Sequence, residues 1–221
     1  LKWGLALSRN NYSAWIMKQA KQPEAVADFI HNMGIASFID PVYALCLGTF
    51  ESNVFEMVSA YATFANEGVF TSPLFVTHIE DRQGNLISSF SSTSQDAVSK
   101  QTAYTMITML KNVITNGTGR RMGWQFGLDG VEIAGKTGTT NSDHDRWFIG
   151  YTPYLLGGVW YGFAEPESLS KVYQNPASAI WDEVMTDIHR DIFEREDIRE
   201  FSKDGLYKLP YCMDSGGLFT D

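Results

Sequence analysis

The sequence predicts a mixed α/β domain of the α+β type, in which an antiparallel sheet is flanked by helices. The predicted elements run in the order helices, hairpin, helix, three strands, helix, which differs from the strand–helix alternation of a parallel sheet. The break between the last two strands, at Pro153-Tyr154, is short enough to predict antiparallel pairing. With 221 residues, 44% hydrophobic and 19% charged, the chain is large enough to bury a core.

Five segments have the periodicity of helices. They cover residues 13–20, Pro23–Asn32, 56–66, 96–115 and 177–190. Pro23 occupies a favourable first-turn position of the second helix, and Gly34 follows it as a stop signal. Gly68 ends the third helix, and Asn116-Gly117 closes the fourth, which is the longest.

The strand candidates fall into two groups. Residues 74–80 and 86–90 flank a glycine-containing turn at 81–85, which is typical of a β-hairpin. Later in the chain, residues 131–134 lead into Lys136, and residues 146–152 and 155–163 are two further strands. The second group predicts the antiparallel sheet.

Composition excludes several classes of function. The net charge of −9 argues against binding to a phosphate backbone, which needs a basic surface, so we expect no nucleic-acid partner. No run of 18 apolar residues is present that would span a membrane. The chain starts with Leu1 rather than Met and has no signal peptide, so we expect a longer polypeptide whose N-terminal region carries the targeting information.

The cysteines and histidines do not form a metal-binding pattern. Cys46 lies in an apolar run and is expected to be a small buried hydrophobic residue, whereas Cys212 lies among turn residues near the C-terminus. A disulfide between the two remains an open alternative. The chain has no CxxC or HExxH motif and its four histidines are scattered, so we predict no metal site and no cofactor.

The segment Lys136-Thr137-Gly138-Thr139 combines groups suited to binding a carboxylate. A lysine and two hydroxyl residues supply a cation and two donors, which bind ionised acceptors well. Gly138 allows a ligand backbone to lie flat against the strand, and the Thr139 N–H is a candidate oxyanion donor. The alternative is an exposed edge strand on which the lysine only prevents aggregation.

A second candidate site is Ser8-Arg9-Asn10, at the opening of the first predicted helix. A serine and an amide two residues apart can point into one cleft from a loop. The serine would then relay protons and the asparagine would hold a peptide carbonyl. The alternative is helix N-capping, a common role for both residue types.

Together these motifs resemble the S-x-x-K, S-x-N and K-T-G set of penicillin-binding enzymes and serine β-lactamases. The flanks extend the resemblance over nearly the whole chain: KTGTTNSDHDRWFIGYTPYLLGGVWYGF at 136–163, LGTFESNVFEMVSAYATFANEGVF at 47–70, MLKNVITNGTGR at 109–120 and the tail YCMDSGGLFTD at 211–221. The T-T-N and G-Y-T-P contexts are most similar to the transpeptidase domain of class A, bifunctional penicillin-binding proteins. The resemblance implies a serine β-lactamase/transpeptidase-like fold.

The resemblance also implies roles for individual residues. Ser8 would assist proton transfer to the leaving group, and Asn10 would bind the substrate's peptide carbonyl. Lys136 would shape the electrostatics near Ser8, while Thr137 and Thr139 would bind the substrate carboxylate beside Gly138. Asp145 and Trp147 match the family's D-x-W, and we interpret both as structural.

The family's acylated serine belongs to S-x-x-K and precedes S-x-N, but only seven residues precede Ser8. The strings at 168–171 and 108–111 fit S-x-x-K formally, with threonine in the second, but both come in the wrong order, and we interpret them as coincidences. We therefore expect residues 1–221 to be the C-terminal portion of one transpeptidase domain, with a tail from about 191–221. We expect the isolated chain to be inactive.

The resemblance implies a function for the parent protein. It would be a glycosyltransferase and serine-type D-Ala-D-Ala transpeptidase or carboxypeptidase that cross-links peptidoglycan stem peptides and is the target of β-lactams. A single N-terminal anchor would hold it at the extracytoplasmic face of the bacterial cytoplasmic membrane. Two alternatives stay open: a non-catalytic module that binds stem peptides or protein partners, and a β-lactamase. An unpaired strand edge would also allow the fragment to dimerise or swap.

Overall fold

The computed structural model describes residues 1–20, 22–120, 130–194, 197–203, 206–207, 209–210 and 212. The helices of this part are α1 (Lys2–Ala6), α2 (Asn10–Ala20), α3 (Pro23–Asn32), α4 (Val54–Ala65), α5 (Lys100–Asn116) and α6 (Pro176–Phe193), with a 3-10 helix at Tyr43–Leu47. The strands are β1 (Val69–Thr71), β2 (His78–Glu80), β3 (Leu86–Ser89), β4 (Ser94–Asp96), β5 (Ala134–Thr139), β6 (Arg146–Tyr151) and β7 (Leu156–Tyr161).

The central sheet is antiparallel in the order β5-β6-β7, which confirms the predicted mixed architecture. Lys136 lies opposite Ile149, and Ile149 lies opposite Gly158. The turn between β6 and β7 is stabilised by Thr152, whose hydroxyl accepts hydrogen bonds from the backbone N–H of Tyr154 and of Leu155. The short break at Pro153-Tyr154 therefore forms an antiparallel connection, as the sequence predicts.

Helices cover both faces of this sheet because β7 carries two adjacent glycines. Successive residues of a strand face opposite sides. A Cβ atom on Gly158 would lie 2.4 Å from Val58 of α4, and one on Gly157 would lie 3.0 Å from the indole nitrogen of Trp181 on α6. The absence of side chains at these two positions lets both helices approach the sheet closely.

Two buried clusters hold the layers together. The larger one joins α3, α4 and α5 to the start of β5 and includes Ile107, Ala134 and Tyr151. The smaller one lies on the α6 side, where the Trp181 and Phe148 rings meet edge to face at 5.1 Å between centroids. Edge-to-face packing is a favoured arrangement of aromatic side chains.

The N-terminal prediction was incomplete. The first predicted helix, residues 13–20, begins earlier as α2 at Asn10, and a further short helix, α1, precedes it. Gly4 of α1 packs so closely against the ring of Tyr12 that a Cβ atom on it would lie 2.5 Å from the ring. The corner between α1 and α2 thus depends on a tertiary contact that helical periodicity does not reveal.

The start of the longest helix was also predicted wrongly. Residues 94–96 form β4, which pairs antiparallel with β1, and α5 begins only at Lys100. The hydroxyl of Ser99 caps α5 by accepting a hydrogen bond from the Thr102 N–H. The hairpin prediction is confirmed by β2 and β3, although both strands are shorter than expected.

Cys46 packs against the larger buried cluster but is only half-buried rather than buried as predicted, and its thiol is free rather than in a disulfide. Apart from Cys212, the tail segment 211–221 used in the resemblance lies outside the described residues.

In the part of the chain that the structure describes, no helix is both long and apolar enough to span a lipid bilayer. The same part contains no group of three His, Cys, Asp or Glu side chains arranged to hold a metal ion.

Candidate active site

The structure brings together Ser8 and Lys136, which are 128 residues apart in the sequence. The Lys136 Nζ donates a hydrogen bond to the Ser8 Oγ at 2.7 Å and a second to the backbone oxygen of Thr137 at 2.8 Å. Lys136 is half-buried on β5, whereas Ser8 is exposed. The two candidate motifs therefore form one site.

Ser8 lies at the corner between α1 and α2 in an unusual backbone conformation. Its φ of 54° falls in the left-handed region, which non-glycine residues seldom adopt. Two hydrogen bonds hold the corner: Ser8 N–H donates to Leu5 O at 3.1 Å, and Arg9 N–H donates to Gly4 O at 2.9 Å. Ser8 is thus a corner residue directed at Lys136, and the N-capping alternative is wrong for it.

Asn10 is the first residue of α2, two positions after Ser8. Its side chain is exposed and makes no hydrogen bond with any described residue. The structure therefore leaves the Asn10 amide available to a ligand without joining it directly to the contact between Ser8 and Lys136.

Strand β5 forms one edge of the central sheet, since β6 is its only strand partner among the described residues. The Thr140 N–H donates to Asp145 O on the β6 side at 3.4 Å. Backbone groups of successive strand residues point to opposite sides, so those of Thr139 and Thr137 are directed away from β6. The Thr137 oxygen that accepts from Lys136 agrees with this alternation. The Thr139 N–H therefore lies on the open edge.

The side chains of β5 differ in their contacts. The Thr137 hydroxyl lies 2.7 Å from the hydroxyl of Thr118, and Thr139 is exposed with its hydroxyl 3.4 Å from the Arg146 guanidinium. Gly138 lies opposite Trp147, and a Cβ atom on it would be 3.0 Å from the Trp147 Cβ. Sequence reasoning assigned no role to Thr118, although it lies in the N-G-T-G-R segment that was part of the resemblance.

Burial changes the acidity of the central lysine. Removal of the ammonium from water lowers the pKa of Lys136 from 10.5 to about 8. The amine therefore remains mostly protonated at neutral pH but loses its proton under mildly alkaline conditions. In both states the lysine is suited to exchanging a proton with Ser8.

Asp145 lies in the connection between β5 and β6, and Trp147 is the second residue of β6. The Asp145 carboxylate accepts a hydrogen bond from the Trp160 Nε1 at 2.8 Å, which ties this connection to β7. The hydroxyl of Thr140 accepts from the backbone N–H of His144 and of Asp145, both at 3.1 Å. These contacts shape the turn at the end of β5.

The two formal S-x-x-K strings have other contacts. Lys111 of α5 forms an ion pair with Glu132. Ser168 lies in the segment between β7 and α6, where its hydroxyl accepts from the Ser170 N–H at 3.3 Å. Neither string contributes a hydrogen bond to Ser8 or Lys136 among the described residues.

Comparison with known proteins agrees with this geometry. A family model described as the penicillin binding protein transpeptidase domain matches residues 41–165. The chain is 32% identical over 199 residues to penicillin-binding protein 1A of Aquifex aeolicus, covering 89% of this chain and 26% of that protein. It is 34% identical over 211 residues to penicillin-binding protein 1A/1B of Bacillus subtilis, covering 85% of this chain and 22% of that protein.

Solved structures show the same fold. The PonA1 protein from Mycobacterium tuberculosis in complex with penicillin V has a TM-score of 0.76 and 26% identity, over 92% of this chain and 58% of that one. Penicillin-binding protein 1A from Haemophilus influenzae has a TM-score of 0.74 and 21% identity, over 91% of this chain and 35% of that one. The predicted transpeptidase-like fold is confirmed, although the chain spans only about a quarter of the curated relatives' length. The chain belongs to the family of penicillin-binding protein transpeptidase domains.

Proposed function

We propose that residues 1–221 form the C-terminal portion of one peptidoglycan D,D-transpeptidase domain, with S-x-N at 8–10, K-T-G at 136–138 and a tail from about 191–221. The parent protein would be a bifunctional glycosyltransferase and transpeptidase, anchored at the extracytoplasmic face of the bacterial cytoplasmic membrane. The hydrogen bond of 2.7 Å between Lys136 and Ser8 carries this proposal. Membership of the family supports the reaction class.

In the proposed reaction, a serine hydroxyl adds to the carbonyl of the penultimate D-alanine of a stem peptide. The bond to the terminal D-alanine breaks, and the departing amine takes up the proton that the serine released. An amine from a neighbouring stem then displaces the serine from the acyl-enzyme, which completes the cross-link. Water in place of that amine would give carboxypeptidase activity.

The residues of this chain would form the substrate-side wall. Ser8 and Lys136 would pass the proton to the departing amine, since their side chains already share a hydrogen bond. The open edge of β5 would pair with the extended substrate as an added strand. Hydroxyls of Thr137 and Thr139 would bind the terminal carboxylate, and the Thr139 N–H would donate to the oxyanion. Asn10, with its unpaired amide, would bind a peptide carbonyl of the substrate.

β-Lactams would bind the same wall, because their ring carbonyl and carboxylate offer the chemistry of the acyl-D-alanine end. The penicillin V complex of the M. tuberculosis PonA1 protein supports this part of the proposal. An S-x-x-K in the family's order is not found in the 221 residues, so the acylated serine would come from elsewhere in the parent protein.

Labelling by fluorescent penicillin tests the proposal in the full-length natural protein. Ser8→Ala and Lys136→Ala are each expected to slow acylation by about a hundredfold or more, the range typical of a lost acid–base group. Ser168→Ala and Lys171→Ala serve as matched controls, because they change the formal S-x-x-K string outside the site. Unchanged labelling of the Ser8 and Lys136 variants would refute the proposed roles.

The isolated 221-residue polypeptide tests whether these residues have activity without the rest of the parent protein. We expect neither penicillin labelling nor D-alanine release from it, and strong labelling would show that the nucleophile lies within these residues.

The open edge of β5 also predicts pairing with a second copy. Elution as a clean monomer in gel filtration would contradict that pairing.

No S-x-x-K precedes the S-x-N motif in the 221 residues, and this favours one second candidate, a module that binds stem peptides without turnover. Binding of a stem peptide by the full-length protein, without acylation by penicillin, would select this candidate. Rapid hydrolysis of nitrocefin by that protein would instead indicate a β-lactamase.

A further inference from the structure

The turn that ends α5 is fixed by contacts to α1. Thr118 N–H donates to Ala6 O at 3.0 Å, and both Gly117 N–H and Gly119 N–H donate to Val113 O, at 3.1 and 3.0 Å. A Cβ atom on Gly117 would lie 2.1 Å from Ala6 O, so only glycine permits this approach. The backbone of Thr118 is therefore held against Ala6, which lies two residues before Ser8.

This turn directs the Thr118 hydroxyl at the candidate carboxylate site. The hydroxyl oxygens of Thr118 and Thr137 are 2.7 Å apart, and Thr118 is exposed. The same residue of β5, Thr137, accepts from Lys136 through its backbone oxygen. The Thr137 backbone oxygen thus contacts the cation of the site, and the Thr118 member of the hydroxyl pair is exposed.

The number of protons on the two hydroxyls determines how many hydrogen bonds the pair can donate to a ligand. Each hydroxyl has one proton, so one proton lies between the two oxygens and the other is free to donate. A carboxylate only accepts hydrogen bonds, so it requires that free proton to point towards it. If Thr118 donates to Thr137, the Thr137 proton is the free one, and its donor strength rises because its oxygen already accepts.

We propose that Thr118 is a positioning residue that orients the Thr137 hydroxyl towards the carboxylate of the bound ligand, and so helps the site to select carboxylate-bearing ligands. This inference rests on the proposed function. Threonine has a stiff χ1 angle, so the Thr137 oxygen stays in place without its partner. What Thr118 adds is the direction of the Thr137 proton.

Two ligands and three variants of the full-length natural protein test the proposal. The ligands are a penicillin with a free carboxylate and its methyl ester, which has no ionised acceptor at that position. Thr118→Val keeps the shape but removes the hydroxyl, and Thr118→Ser keeps the hydroxyl. Thr115→Val is the matched control, because Thr115 is exposed three residues earlier and both hydrogen bonds of its hydroxyl, to the Lys111 oxygen and from the Asn116 side chain, stay within α5. The quantity measured is the second-order rate constant of acylation.

For Thr118→Val we expect acylation by the carboxylate form to slow about fivefold to tenfold, the effect typical of one lost hydrogen bond. Acylation by the ester should stay within about twofold, as should both reactions of Thr118→Ser and Thr115→Val. The ratio of the two rate constants is taken within one preparation, so a loss of folded protein cancels.

Equal slowing of both ligands in Thr118→Val would overturn the proposal, because the bond would then only hold α5 against β5. No slowing of either ligand would overturn it as well. A wild-type protein that penicillin does not acylate, or that reacts equally with acid and ester, would instead refute the proposed function and remove the basis of this inference with it.

Discussion

The lowered pKa of Lys136 predicts how the stability of the protein depends on pH. The perturbation is Lys136→Met, which keeps an unbranched side chain, one atom shorter, and removes the titrating group. In the wild-type protein the folded-state pKa is about 8 and the unfolded value is 10.5. Between these values the unfolded chain holds a proton that the folded chain has released, so the free energy of unfolding must rise with pH.

The size of this effect follows from the two pKa values. A tenfold change in proton affinity corresponds to about 1.4 kcal/mol, so the interval from about 8 to 10.5 corresponds to about 3 kcal/mol. Lys136 is half-buried, and the water that remains around it lowers the expected figure towards about 2 kcal/mol. The gain is complete above pH 10.5 and is lost as the pH falls through about 8.

Urea unfolding of the wild-type and Lys136→Met proteins at a series of pH values from 7 to 10.5 measures this effect. The difference in unfolding free energy between the two proteins should shift in favour of the wild type by about 2–3 kcal/mol over this range. Other titrating groups are common to both proteins and cancel. Lys171→Met, at an exposed position, is the matched control. A constant difference between wild type and Lys136→Met would refute the assignment of a perturbed amine to this site.

Three further predictions concern the surrounding structure. Gly117→Ala should lower the free energy of unfolding by about 1–3 kcal/mol in urea denaturation, because its Cβ atom would collide with Ala6 O; an unchanged midpoint would contradict the close approach. Glu56→Gln should cost about 1–3 kcal/mol at pH 7, since its carboxylate accepts four hydrogen bonds that also lower its pKa. That cost should vanish as acid protonates the wild-type carboxyl, and exposed Glu51→Gln should show neither effect. Trp181→Ala should cost about 3–5 kcal/mol by calorimetry, because the buried indole packs on the sheet and donates to two of its carbonyls; a loss under 1 kcal/mol would contradict its role as an anchor.

Elements with strong local signals were predicted well. Helix α3 has the predicted bounds, because Pro23 fixes its first turn and Gly34 follows it with a φ of 100°, which favours glycine. Strands β6 and β7 were also located, since each is a largely apolar run bounded by turn residues, whereas the strand predicted at 131–134 lies further on, as β5 at Ala134–Thr139. Local signals suffice where the chain's own neighbours determine the conformation.

Elements that depend on distant partners were missed. Strands β1 and β4 have three residues each and pair across a gap that contains the whole hairpin, so neither has a pattern of its own. Helix α1 has five residues, too few to be stable alone, and it depends on its contact with Tyr12. Tertiary contacts rather than propensity determine these three elements.

In the candidate site, too, residues with a local sequence signal were predicted, whereas contacts between distant segments were not. The sequence predicted Ser8 and Lys136 as chemically important, because the types and spacing of the residues around them match a family. It could not predict that Thr118 contacts Thr137, since that bond requires the end of α5 to meet the middle of β5. It also could not predict the left-handed conformation of Ser8, which arises from the packing of α1 against α2.

The contact between Ser8 and Lys136 combines two features that each cost free energy. The left-handed φ of Ser8 strains the backbone, and burial of the Lys136 amine lowers its pKa by opposing its charge. Such features persist only where the surrounding structure fixes them. Here the tight packing of Gly4 on Tyr12 and the hydrogen bond from Thr118 to Ala6 fix the corner from both sides. It follows that loosening either contact would let Ser8 relax and let water reach the amine, so the pKa of Lys136 depends on how firmly α1 is held.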